Sequence, residues 1–264
     1  MIPADYDALA ALASAQMHRG VKTNTLLTQA DYGPALAAGT LRAEETPAGL
    51  LLLRDRGDHT RLTFYLHDLT HPLGIDFPSP TVTEVAFRPR DTGLQEAAAY
   101  LQTQGFAPVL ERYRLSRGRG ETEGLALPPV AVAAPDEAVD ILAFLRANFS
   151  PLTGCLPTLD ELQADLTQGH VLVLKDGQDY SGLLHFSWDG KVGEIRHLAV
   201  AEAARGRGLT RPLLAAYLAA VGGGKSIVWV RADYAAAQAA YRRFGFAPDG
   251  RRSLVLCYTK KEGT

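Results

Sequence analysis

The residues best suited to chemistry stand in one short run, Arg205-Gly206-Arg207-Gly208-Leu209-Thr210. An apolar stretch with strand character, Ile195 to Val200, precedes it. After it, Leu209, Leu213, Leu214, Tyr217 and Leu218 recur at the spacing of a helix face. A strand, a glycine turn and a helix N-terminus make an anion site. The first N–H groups of a helix have no partner within it, and the helix dipole favours negative charge there. Gly206 and Gly208 lack a Cβ, so a diphosphate could approach the backbone closely. Pro212 falls in the first helical turn, where a missing N–H costs little. The run is neither G-x-G-x-x-G nor a P-loop, which needs Lys-Ser/Thr after its last glycine. Two histidines on predicted strands, His185 and His197, could act as bases, although a lone strand histidine is more often structural.

The elements that must position this run follow from periodicity. In the second half, a strand is predicted at Val130–Ala133 and a helix from Pro135 to about Phe149. Thr158 and Glu161 fit a capping box for another helix ending near Gly169. Val171–Leu174 and Ser181–Trp188 read as strands, and Asp189-Gly190 is a hairpin signal into the Gly193 strand. Ser226–Val230, Tyr234–Phe244 and Ser253–Tyr258 read as strand, helix and strand. In the first half, helices are expected at 3–18 and 30–39, strands at Gly49–Leu53, Arg61–Leu66 and Val82–Phe87, a helix at Gly93–Gln104 and a last strand at Arg112–Leu115. A Gly-, charge- and Pro-bearing linker, 118–128, separates domains 1–117 and 129–264. Arg117-Gly118-Arg119-Gly120 repeats the letters of the later run, but Glu121-Thr122-Glu123-Gly124 offers no apolar helix face after it.

Composition bounds the rest. The 264 residues suit two domains of roughly 130. A net charge of −2 gives no reason to expect nucleic acid as a partner. No apolar run reaches the ~18 residues of a membrane span, and the N-terminus has no signal-peptide pattern. Cys155 and Cys257 match no metal spacing and read as reduced thiols of a cytoplasmic protein.

Two features carry a family resemblance. Arg205–Thr210 resembles R/Q-x-x-G-x-G/A, the coenzyme A pyrophosphate loop of the GNAT N-acetyltransferase superfamily, with Thr210 where Gly or Ala is usual. Tyr241–Pro248, YRRFGFAP, ends a helix in the way GNAT domains end, and Tyr100–Pro108, YLQTQGFAP, repeats it about 140 residues earlier. The chain thus resembles a tandem GNAT protein. The resemblance implies an α/β (α+β) fold of two GNAT-like domains, each a mixed, mostly antiparallel sheet flanked by helices. The first copy has no such loop, and counting back from Gly-Phe puts Leu101 where the second copy has Tyr241. It is read as a degenerate copy without coenzyme A; an unrelated α/β domain is the alternative.

The same resemblance implies acetyl transfer from acetyl-CoA to a primary amine, with no metal. The acceptor would be a small molecule or a peptide. Leu198, Ala199 and Val200 match the strand whose backbone pairs with the pantetheine arm. Arg205, Gly206, Arg207, Gly208, Leu209 and Thr210 would hold the diphosphate. Glu194 stands where several GNAT enzymes carry a catalytic base; otherwise it is a carboxylate paired with Arg196 or Lys191. Tyr241 matches the family's general acid; otherwise it is a packing tyrosine. Tyr234 replaces an Asn that often touches coenzyme A. Transfer of another acyl or aminoacyl group, and a coenzyme-A-binding regulator without turnover, are the alternatives. Oligomeric state is not legible.

Overall fold

Chain-order patterning builds seven α-helices and twelve strands among the residues described in this computed structural model, 1–120 and 130–260. They run α1 (Tyr6–Gln16), β1 (Lys22–Thr23), α2 (Gln29–Ala37), β2 (Leu41–Thr46), β3 (Gly49–Asp55), β4 (Thr60–Leu66), β5 (Thr81–Phe87), α3 (Thr92–Thr103) and β6 (Ala107–Arg117). Then follow β7 (Ala131–Val132), α4 (Ala138–Asn148), α5 (Leu159–Thr167), β8 (Val171–Asp176), β9 (Asp179–Trp188), β10 (Val192–Val200), α6 (Thr210–Ala220), β11 (Lys225–Arg231), α7 (Ala235–Arg242) and β12 (Ala247–Tyr258). Most of the expected linker, residues 121–128, lies outside the described residues.

Local chemistry explains many of the boundaries. Asp5, Thr28 and Asp91 cap α1, α2 and α3 by accepting from the N–H three residues on. The expected capping box closes α5: Thr158 Oγ1 accepts from the Glu161 N–H, and Glu161 Oε2 from the Thr158 N–H at 2.8 Å. At the β9–β10 turn Asp189 Oδ1 accepts from the N–H groups of Lys191 and Val192. Two strands were not expected, β1 and β2; Leu41–Thr46 alternates inward Leu41 and Ala43 with charged residues too weakly to stand out.

Two compact units emerge, one of Met1–Glu111 plus the chain from Arg251, the other of Arg112–Gly250. These units divide the described chain at Glu111/Arg112 and Gly250/Arg251. Within the first unit β2, β3 and β4 pair antiparallel, β4 and β5 parallel, and β5 pairs antiparallel with the Arg252–Tyr258 part of β12. Within the second, β7, β8, β9 and β10 pair antiparallel, β10 and β11 parallel, and β11 antiparallel with the Arg112–Arg117 part of β6. The two sheets share one plan, with a single parallel pair each. Each is completed by the strand that follows the other repeat's Gly-Phe.

The Gly-Phe endings are also alike. Gly105 and Gly245 take φ of 93° and 79°, and the N–H groups of Phe106 and Phe246 reach back to the carbonyls of Leu101 and Tyr241. This hydrogen bonding makes Leu101 the counterpart of Tyr241. Both faces of each sheet are covered. In the second unit α6 and α7 enclose Leu184, Phe186, Ile195, Val228 and Tyr241, while α4 and α5 enclose Val171, Val173 and Leu183 on the other face.

Candidate active site

The parallel pair β10–β11 holds register only from Val192↔Lys225 to Ile195↔Val228. Beyond that point no described strand pairs with the β11-facing edge of β10. The divergence begins at a bulge. Ile195 faces Phe186 and His197 faces His185, so Arg196 is an extra residue in β10. Leu198, Ala199 and Val200 thus lie on an edge whose backbone groups are unpaired on one side, as pairing to a pantetheine arm requires.

The chain then turns through Glu202–Ala204 into Arg205 and reaches α6 at Thr210. Gly206 and Gly208 have φ of 80° and 76°, a left-handed conformation that side-chain-bearing residues rarely adopt. A Cβ on either would meet no protein atom within 4 Å, so the space before them is open. Among the described residues no protein acceptor meets the N–H groups of Gly206, Arg207, Gly208, Leu209 or Thr210. The first turn of α6 has no side-chain cap and no acidic residue. That combination of open donors, dipole and space fits a diphosphate. Of the two arginines, Arg207 is engaged with Asp176 at 3.2 Å and both partners are more than half exposed.

Glu194 is half-buried and lines a cavity of about 390 Å³ with Asp165, His170, Ser187, Arg196 and Ile227. Strand alternation sends it to the face opposite Ile195, the side of α4 and α5. Tyr241 lies on the other face, 5% exposed, its ring edge-on to Phe246 at 5.6 Å and in one cluster with Ile195, Leu198, Val228 and Val230. Burial raises its phenol above the ordinary tyrosine range. Tyr234, by contrast, is exposed at the start of α7.

His185 and His197 are in hydrogen-bond contact with one another, which sequence reasoning did not foresee. Their Nδ1 atoms are 3.1 Å apart; His185 Nε2 lies 2.8 Å from Asp165 Oδ2 and His197 Nε2 2.8 Å from the Gly154 carbonyl. His185 is fully buried and His197 3% exposed. Burial, then the neighbouring His185, pushes His197 down to about 3. Asp165 is held below its usual range despite burial, because His185 donates to it and Arg196 stands nearby. The cross-strand pairing of His185 and His197 depends on the bulge at Arg196, for which the sequence gives no signal.

In comparisons with known proteins, residues 141–246 match the model of the acetyltransferase (GNAT) family. That segment is a GNAT domain. No curated protein sequence matches the chain. Among solved structures, a GCN5-related N-acetyltransferase from Sphaerobacter thermophilus is 16% identical, covering 82% of this chain and 78% of its own, with a TM-score of 0.56. One from Kribbella flavida is 17% identical, covering 89% and 96%, with a TM-score of 0.51. A tandem GNAT protein from the clavulanic acid biosynthesis pathway is 13% identical, covering 82% and 80%, with a TM-score of 0.53. At these identities the likeness concerns the fold. The GNAT domain matched by the family model lies within the unit that carries the β10 divergence, the glycine loop and the buried histidines. Among the described residues no helix is long and apolar enough to cross a membrane, and no cluster of three or more His, Cys, Asp or Glu could hold a metal ion.

Proposed function

We propose that the chain is an N-acyltransferase that moves an acetyl group from acetyl-CoA to a primary amine by direct transfer in the GNAT domain. The carrying observation is the juxtaposition of the unpaired β10 edge with a loop whose N–H groups from Gly206 to Thr210 have no protein acceptor. The loop would hold the diphosphate, and the edge at Leu198–Val200 the pantetheine. Coenzyme A supplies an activated thioester. The protein must then polarise its carbonyl, for which a backbone N–H of the β10 edge would serve, and manage two protons.

Glu194 would take the proton of the incoming ammonium. An amine with an ordinary value near 10 is only about one part in a thousand neutral at pH 7. The cavity beside Glu194 has room for water, so the base acts through it. Tyr241, kept protonated by its burial, would protonate the departing thiolate.

The first unit is proposed to bind no coenzyme. Its own parallel pair also diverges, after Arg61↔Val82, but that gap is filled. β1 pairs with Tyr65 and Leu66 of β4, and Asn24 spans the opening: its Oδ1 accepts from the Phe64 N–H, and its Nδ2 donates to Thr83 Oγ1 and the Glu84 carbonyl, each at about 3 Å. Residues 67–80, between β4 and β5, contain no helix to cradle phosphate.

The test is thiol release from acetyl-CoA, and from longer acyl thioesters, with a panel of primary amines. Amine-dependent release is expected. Coenzyme binding without release on any amine or acyl group would replace this reading with that of a regulator.

A further inference from the structure

The line Asp165–His185–His197–Gly154 has a proton count that its geometry dictates. A carbonyl oxygen only accepts, so His197 Nε2 must carry a proton to reach Gly154 at 2.8 Å. An ionised carboxylate also only accepts, so His185 Nε2 must carry one to reach Asp165 at 2.8 Å. Between the two rings, nearly coplanar at 11°, two Nδ1 atoms face each other at 3.1 Å. Without a proton there, two lone pairs would oppose one another in a buried site, and a buried polar atom without a partner is costly. Two neutral imidazoles hold two protons in all; this line needs three. The surplus charge is matched by Asp165, which makes the buried group neutral overall. The line joins α5, β9, the bulged part of β10 and the loop between α4 and α5.

We propose that His185 and His197 are positioning residues that share three N–H protons in the native protein, and that the third proton fastens the α4–α5 loop and α5 to the β10 bulge. The inference does not rest on acyl transfer. The charged groups around the pair are Asp165 on α5, His170 beyond it at 4.0 Å from Asp165, Arg196 on β10 at 3.7 Å from Asp165, and Arg112 on β6. The Phe149 ring at the end of α4 closes edge-on over His197, and Cys155 follows Gly154 in the loop. The third proton belongs on His185, the ring in contact with the Asp165 carboxylate, which then donates to both Asp165 and His197.

A pH signature follows. In the proposed native state the pair holds one proton beyond two neutral rings, matched by the Asp165 carboxylate. The unfolded pair holds two extra protons below about 6.5 and none above it. Below that value the unfolded chain binds more protons, so stability falls as pH drops; above it the native chain binds more, so stability falls as pH rises. Each limb approaches a tenfold change in the unfolding equilibrium per pH unit.

The experiment is long-range nitrogen–proton correlation NMR of the full chain labelled in histidine, with the two rings assigned by their loss in His185→Gln and His197→Gln. At pH 7 the expected pattern is one ring protonated at both nitrogens and one neutral ring protonated at Nε2. Two neutral rings at pH 7 in the wild type would overturn the proposal, and that reading requires no variant to fold. Urea unfolding from pH 5 to 9 supplies the second arm. Asp165→Asn removes the matching charge, so the alkaline limb should vanish relative to wild type; its persistence would also overturn the proposal.

Discussion

Replacing Gly208 by alanine separates the two roles of the phosphate loop. At φ 76° an L-residue is held in the left-handed region, which costs about 1–2 kcal/mol. The added Cβ meets no protein atom within 4 Å, so strain is the whole cost to folding. Gly190, at φ 82° in the β9–β10 turn with equally open surroundings, gives a matched control in the same unit. Gly190→Ala and Gly208→Ala should therefore lose about the same stability in urea. Their effects on coenzyme A should differ. Relieving the strain at residue 208 turns the chain toward negative φ and re-aims the N–H groups that run into Thr210. Losing one hydrogen bond to a charged group costs about 1.5–3 kcal/mol. At 1.4 kcal/mol per factor of ten, the dissociation constant should rise by about 10–100-fold. Calorimetric titration with coenzyme A measures this directly. An affinity equal to that of Gly190→Ala, alongside an equal stability loss, would refute the assignment of the loop.

The remaining predictions concern the proton-handling residues and the first unit. Glu194→Gln keeps shape and removes basicity, so steady-state turnover with the best amine should drop by about 10²–10⁴, with coenzyme affinity nearly unchanged; full activity would mean another base. Tyr241→Phe should lower turnover while leaving the packing with Phe246 intact. Because burial raises the phenol, any alkaline limb due to Tyr241 must lie above the ordinary tyrosine value near 10; a limb near neutrality that disappears in Tyr241→Phe would contradict this. Asn24→Ala removes the bridge across the first unit's strand gap and should cost about 1–3 kcal/mol in urea unfolding. Calorimetry should give one coenzyme per chain in both wild type and Asn24→Ala; two sites in the wild type would show that the first unit binds coenzyme.

Much was determined by the sequence alone, because it depends on near neighbours in the chain. The α5 capping box, the Asp189-Gly190 turn, the Gly245 helix end and the strand–loop–helix around Gly206 and Gly208 are set by residues within a few positions of one another. The repeat of Gly-Phe endings announced two copies for the same reason, and spacing alone matched Leu101 to Tyr241. Tertiary structure decided what local pattern leaves open. A strand's alternation states which face is buried but not which edge it joins, so β6 and β12 could not be seen to complete each other's sheets. β1, two residues long, has no period to detect, and its hold on β4 depends on Asn24 meeting Phe64 and Glu84 some 40 and 60 residues away. His185 and His197 looked like unrelated strand histidines. Only the bulge at Arg196 sets them opposite one another, within reach of Asp165 and Gly154, and that meeting depends on the register of one strand against the next.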